Sequence, residues 1–305
     1  MLATLFWNIL FHMQPLAISK AHAAASEFVR HNSLLHYPSM FFTPEHRQAA
    51  HAVYAYFRTA DNLVDEEHFS LDQFRAWREQ AQQPIEKQTD PLIIAWADIR
   101  QRYNIDPAYE EAVLNGLELD IARHRYETLD ELEKFCYGVA TAPFLLAMSI
   151  VGFRPGVTLE QAKPYMEKMG IAMQLTDIIR DVRDDLAMGR IYLPKSELAL
   201  FNLTHADVEA KRFDERFRDF MQHFSQIARN YYAAGWPILD LFPDSFRLAG
   251  GFGLMISRSL LDEVKAHHFD VFTNRIKIPR WKIFWLLATK WPAIYWPKSA
   301  DKYFK

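Results

Sequence analysis

The chain of 305 residues has a single cysteine, Cys136. That excludes an internal disulfide and every metal site built from several thiolates, and it fits a reducing, cytoplasmic setting. No charge of one sign dominates: 35 Lys and Arg stand against 38 Asp and Glu, so a net charge of −3 gives no global field for nucleic acid. Glycine is scarce, and its one run, "GGFG" at 250–253, follows no strand pattern and is not a dinucleotide fingerprint. Strand-like alternation is nearly absent. The twelve His are scattered without metal-ligand spacing, although His267 and His268 are adjacent. "NLT" at 202 is a glycosylation sequon by pattern alone. The N-terminal "MLATLFWNILFHMQPLAIS" has no charged side chain and no basic start of a secretory signal, although the following "AHAAA" mimics a cleavage site. Asn8, His12, Gln14 and Pro15 make it a poor membrane span, and an interfacial or core-packing segment is expected.

Half the residues are hydrophobic, with 23 Phe, 13 Tyr and 8 Trp, which is ample for a large core. Helical periodicity dominates. Long segments are expected near 44–66, 107–125, 129–152, 159–188, 205–235 and 245–268, and shorter ones near 21–34, 71–83, 91–103 and 279–290. Pro44 suits a first helical turn with Thr43 as its cap. The breakers "NIDP", "RPGV", "GRIYLP" and "LFPDS" fall between segments. No repeat or linker interrupts the pattern. The expected organisation is one all-α domain over 21–290, with an apolar extension at 1–20 and a basic, aromatic tail at 291–305. The end of the chain, "RIKIPRWKIFWLLATKWPAIYWPK", interleaves Trp and Phe with Lys and Arg. Such a pattern suits a bilayer interface or a terminal helix packed on the body. Lys282 and Lys290 argue against a spanning helix.

The stretch "YAYFRTADNLVDEE", residues 54–67, places Asp61 and Asp65 one turn apart on one helix face, with Arg58 a turn before them. Like charges so placed repel, and a solvated acidic helix end would account for the pair as simply as a functional site. A second stretch, "QLTDIIRDVRDDLAMGRIYLP" at 174–194, shifts that balance. Asp177, Asp181 and Asp185 recur every four residues, Asp184 lies on the adjacent row, and apolar Leu175, Ile178, Ile179 and Val182 half-bury the helix. Gly189 marks its C-terminal stop. Packed carboxylates raise one another's pKa unless cations neutralise them. Hard Mg²⁺ prefers one or two carboxylates plus substrate phosphates. Arg58 and Arg180 supply phosphate-binding guanidinium groups beside the acids. The two rows together read as a clamp for a diphosphate.

These motifs resemble those of the squalene/phytoene synthase family, enzymes that join two prenyl diphosphates head to head. "RTADNLVDE" is similar to the family's first DxxxD motif, and "QLTDIIRDVRDDLAMGRIYLP" to its second and more specific one. "LDEVKAHHFDVFTNRIKIPRWKIFWL" resembles the C-terminal signature, and "FCYGVA" part of a central motif. The likeness runs from about residue 25 to 290. It implies a single-domain isoprenoid synthase fold, with helices around a deep central cavity. Asp61, Asp65, Asp181 and Asp185 are the implied ligands for about three Mg²⁺, or Mn²⁺, bridging two diphosphates. Tyr54, Arg58, Gln174, Asp177, Arg180 and Asp120 match diphosphate-side positions, although Asp120 also reads as a surface helix acid. Tyr137 matches an aromatic residue that stabilises a carbocation. "PFLLAMSIVGF" at 143–153 is a candidate tunnel wall, or ordinary core.

The resemblance implies condensation through a cyclopropyl diphosphate, with phytoene from two geranylgeranyl diphosphates as the expected product. C15 chemistry giving squalene, dehydrosqualene or presqualene diphosphate is the alternative, and NADPH enters only if squalene is made. Peripheral contact with the inner membrane surface and hand-over to downstream isoprenoid enzymes are expected, and no nucleic acid. Three departures bear on the product. The central motif reads "VATAPF", so Thr141, Pro143 and Phe144 replace differently shaped residues. "HNSLLHY" brings Leu34 where the family has a hydroxyl, and Asp177 stands where it usually has Asn. A single-substrate terpene cyclase, or a non-catalytic assembly factor of the kind that has lost motif acids, are the remaining readings. Both DxxxD pairs are intact here.

Overall fold

The computed structural model describes residues 2–33, 39–40, 42–65, 70–122, 125–273 and 275–295, with the backbone alone at 2–16, 65, 280, 287, 290–293 and 295. Leu34 therefore lies outside the described residues. Among the described residues the elements are helical, and the sole β feature is an isolated bridge between Arg125 and Ile191. The chain divides into two compact units, Met1–Tyr109 and Glu110–Lys305.

The first unit contains α1 (Leu2–Asn32), α2 (Pro44–Asp65), α3 (Leu71–Ala81), a 3₁₀ turn (Ile85–Lys87) and α4 (Pro91–Arg102). Their starts follow capping chemistry. The Thr43 hydroxyl accepts from the His46 N–H at 3.2 Å, with Pro44 in the first turn. Ser70 and Gln73 close a capping box, and Asp90 accepts from Leu92 and Ile93. α2 buries Ala49, Ala52, Tyr56, Ala60 and Val64, a stripe at three- and four-residue spacing. Tyr56 stacks on Trp96 of α4, with centroids 5.4 Å apart. Small alanines let α2 lie close to its neighbours, and buried polar pins fix it. His51 bonds Ser39 at 2.8 Å and Ser26 at 3.1 Å, while His22 bonds Asp98 at 2.7 Å. This packing holds the opposite face of α2, which carries Tyr54, Arg58, Asp61 and Asp65 by helical position, away from the unit's own core.

α5 (Pro107–Ala122) carries the chain into the second unit. There follow α6 (Leu129–Cys136), a π turn (Tyr137–Thr141), α7 (Ala142–Val151), α8 (Leu159–Ala187), α9 (Lys195–Ala199), α10 (His205–Glu209), α11 (Glu215–Gly235), a 3₁₀ turn (Trp236–Asp240), α12 (Asp244–Ala266) and α13 (Arg280–Tyr295). Long α8 is the centre of this unit, and α11 packs along it. α11 presents Phe217, Phe220, Phe224, Ala228 and Tyr232, all buried, toward a core that includes Met166, Met169, Leu175 and Ile179 of α8. Gly235 allows the closest approach: a Cβ there would lie 2.8 Å from the Met169 nitrogen.

Three segments depart from the sequence expectation, the first being the helix expected near 21–34, which runs as α1 from Leu2 through the expected extension. The single helix expected at 205–235 is α10 and α11, separated by a turn in which Lys211 has φ +52° and Asp214 caps α11. No Gly or Pro announces that break. The helix expected over 129–152 is wound as a π turn at Tyr137–Thr141, where the Ala142 N–H donates to the Tyr137 carbonyl. Pro143 explains it. A proline has no N–H, and its ring would collide with the carbonyl four residues back in a regular α-turn. By length and apolar composition Leu129–Val151 would suffice to cross a membrane, but half of its apolar window is buried, as in a core helix. "GGFG" lies inside α12, as its lack of a preceding strand requires.

Candidate active site

The first acidic row belongs to α2. Arg58 reaches Asp61 one turn on through a charged hydrogen bond, and both side chains are well exposed. Asp65 is the last residue of the helix, one further turn along; its side chain lies outside the described residues. Tyr54, a turn before Arg58, donates its hydroxyl to the Asn32 carbonyl at 3.3 Å, tying the row to the end of α1.

The second row belongs to α8, in the other unit. Gln174, Asp177, Arg180, Asp181, Asp184 and Asp185 are all half-buried, above a buried stripe of Leu175, Ile178, Ile179 and Val182. Arg180 bridges two acids: its Nη1 lies 2.8 Å from Asp177 Oδ1, and its Nε donates to Asp181 Oδ1 at 2.7 Å. Asp184 is turned toward Arg183 and Arg275, the latter at 2.7 Å, and so serves as an anchor for the segment after α12. Burial is the first cause that raises the Asp177 carboxyl, with Arg180 opposing it and Asp181 adding to it. Asp185 is pushed up to about 7, by burial first, then by Asp181 and Asp120, with Arg190 pulling the other way.

The stop after α8 builds the rest of this cluster. Gly189 takes φ +75°, the Arg190 N–H donates to the Asp185 carbonyl at 2.9 Å, and the Gly189 N–H to Leu186 at 3.1 Å. This is a Schellman closure, which a glycine accepts without strain. It folds "RIY" back under the acids. Arg190 then lies 3.2 Å from Asp120 of α5, and the Tyr192 hydroxyl donates to the same carboxylate. Asp120, Arg190 and Tyr192 are largely buried, so Asp120 is not a free surface acid. A small pocket lies at this point, lined by Asp185, Arg190 and Tyr192 with apolar Ile178, Val182 and Val208.

Tyr137 is half-buried at the start of the π turn, close to where Gly138 meets Gly116 of α5. Thr141 is fully buried against Gly170 of α8, and Phe144 meets Phe242 edge-on at 6.2 Å. Behind Asp177 the structure adds a hydroxyl relay that no local sequence pattern announces. Buried Tyr232 bonds Ser257 at 2.7 Å and Thr176 at 3.2 Å, and Thr176 donates to the Ala172 carbonyl at 2.8 Å. One proton per hydroxyl sets the order of donation: Tyr232 to Thr176, and Ser257 to Tyr232. Burial pushes the Tyr232 phenol up to about 12, so it stays protonated. Arg190 and Tyr192 are visible in "GRIYLP", but nothing in that stretch alone gives them a role; Tyr232 and Ser257 come from helices far apart in sequence and leave no local signal.

The donor set suits a hard divalent cation. Among the described residues no three of His, Cys, Asp and Glu converge closely enough to hold a metal by themselves. The α8 row instead offers half-buried carboxylate oxygens, and at Asp177 and Asp185 burial raises the carboxyl by more than the neighbouring guanidinium group lowers it. An ion that completes its shell with substrate oxygens fits that arrangement.

A family model for squalene/phytoene synthase matches residues 29–282. The chain belongs to the squalene/phytoene synthase family. A phytoene synthase of Arthrospira platensis is 37% identical over 254 residues, covering 77% of this chain and 81% of that protein. A 15-cis-phytoene synthase of Synechococcus elongatus is 30% identical over 279 residues, covering 87% and 91%. Among solved structures, a dehydrosqualene synthase in complex with ligand superposes with a TM-score of 0.77 at 25% identity, over 92% of this chain and 98% of that one. A squalene synthase from Alicyclobacillus acidocaldarius gives 0.74 at 20% identity, over 84% and 97%, and shows the shared fold. The all-α chain is thus an isoprenoid synthase by fold and a prenyltransferase of the squalene/phytoene synthase type.

Proposed function

We propose that the chain condenses two molecules of geranylgeranyl diphosphate head to head, through a cyclopropyl diphosphate, to phytoene. The observation that carries this reading is the half-buried row Asp177, Asp181 and Asp185 with Arg180 on α8, in a chain 37% identical to a phytoene synthase. The likeness to a dehydrosqualene synthase supports the C15 alternative.

Asp61, Asp65, Asp181 and Asp185 are the proposed Mg²⁺ ligands, with Asp177 and Asp120 supporting the charge around them. When bound, Mg²⁺ supplies Lewis-acid stabilisation of the departing diphosphates. The chain's own residues do the rest. Arg58 and Arg180 exchange their present carboxylate partners for diphosphate oxygens, which match a guanidinium fork equally well. Tyr54 and Gln174 orient the diphosphate. Loss of the first diphosphate leaves an allylic cation; the double bond of the second substrate attacks it, and a proton leaves to close the cyclopropane. Departure of the second diphosphate, rearrangement and loss of another proton give the linear hydrocarbon. Tyr137 offers its ring to the cationic stages, and the surrounding apolar side chains keep water from trapping them.

The working domain is proposed as 21–290, which the family match supports. Two further elements of the reading are its setting in the cytoplasm, at the inner membrane surface, and hand-over of a water-insoluble product to the next isoprenoid enzyme. The buried, single Cys136 fits a reducing compartment.

Incubating the full chain with Mg²⁺ and either C15 or C20 diphosphate, with and without NADPH, followed by mass analysis of hexane extracts, tests the assignment. Phytoene from the C20 substrate without NADPH is the expected result. A C30 product in its place selects the alternative, and no hydrocarbon from either substrate refutes the enzyme reading.

A further inference from the structure

Among the described residues, α13 has one buried face and another that carries exposed apolar rings. Its inner face is pinned at both ends. Lys282 pairs with buried Glu263 of α12, Ile294 is fully buried against Gly251, and the Ile294 carbonyl accepts from Arg247 Nε at 3.0 Å. Leu286, between these pins, is buried as well. The outer face carries Trp281, Phe284 and Trp285, which are 70%, 75% and 46% exposed, followed by exposed Ala288 and Thr289. Leu248 of α12, on which α13 packs, adds 39% exposure. A helix held so firmly on one side cannot turn these rings inward. Three large exposed aromatics grouped on one helix face form a contact surface rather than scattered exposure.

The basic sequence of this end of the chain selects the occupant. Residues 275–305 contain eight Lys or Arg and one acid, Asp301, within a chain of net charge −3. Aromatic rings interleaved with cations match an anionic bilayer surface, where Trp favours the headgroup level and each basic residue gains from the surface potential. A symmetric pairing of two copies through this face would instead bring two cationic segments together. We infer that α13 is a membrane-docking helix that lies in the plane of an anionic bilayer with Trp281, Phe284 and Trp285 inserted. This inference stands independently of the reaction assigned above, and no acid-row residue takes part in it.

The test is flotation of the full-length protein with phosphatidylcholine vesicles that contain or lack phosphatidylglycerol, comparing wild type with W281S/F284S/W285S. Wild type is expected to float with the anionic vesicles, and the triple variant to bind about tenfold or more weakly. Its melting temperature and its turnover in detergent should match wild type, since these rings are exposed. Quenching of wild-type Trp fluorescence by brominated acyl chains gives a second readout that needs no variant. Absence of both flotation and quenching in wild type would overturn the inference. So would equal binding by a folded triple variant, or a wild-type dimer that ignores vesicles and becomes monomeric in the variant.

Discussion

Asp181→Ala should lower Mg²⁺-dependent turnover about a thousandfold or more, while the helical circular dichroism stays near that of wild type. Asp181 is only half-buried, and α8 is held by the apolar stripe beneath it, so the fold does not depend on this carboxylate. Its loss leaves Arg180 paired with Asp177 alone and removes a proposed metal ligand from the middle of the row. Asp61→Ala should do the same from α2. Ligands of the proposed metal centre would act as a unit, so the double variant should be little worse than either single one. Full activity in either single variant would refute the metal assignment.

Gly170→Ala should destabilise the protein by about 3 kcal/mol, an overpacking effect at the heart of α8. A Cβ at residue 170 would lie 2.4 Å from Thr141 Oγ1, 2.7 Å from Thr141 Cα and 2.9 Å from its nitrogen. Two of these three atoms are backbone, so rotating or trimming the threonine cannot clear the space. Adding Thr141→Ala should therefore recover only part of the loss. For a chain of this size the melting temperature should fall by roughly 5–10 °C. An unchanged melting temperature in Gly170→Ala would show that the π turn and α8 are not packed as tightly as described.

The same contact shows what the sequence could and could not disclose. The α8 row is legible as a half-buried helix face because Asp recurs every four residues beside an apolar stripe, and Arg180 is seen to pair with two of its acids. The stop at Gly189 was legible because only a glycine readily takes a positive φ before a helix reversal. The long helices were legible by period, and the start of α2 by Thr43 and Pro44. Thr141 and Pro143 read as a change of shape, and the π turn follows from Pro143, but the close packing of Thr141 on Gly170 of α8 has no local signal. The glycine lies some thirty residues away. The break between α10 and α11 was hidden because an apolar period continues through it. Similarly, Asp120 could be read as a surface acid until the turn after Gly189 brought Arg190 and Tyr192 to it. What local pattern encodes was readable; what depends on distant segments meeting was not.

The most direct measurement is anomalous diffraction from crystals grown with Mn²⁺ and an unreactive thio analogue of geranylgeranyl diphosphate. Metal peaks bonded to Asp61 or Asp65 and to Asp181 or Asp185, with the analogue's phosphates completing their shells, are the predicted result. Analogue bound with no metal at either row, or metal confined to Asp184 and the surface, would contradict the account.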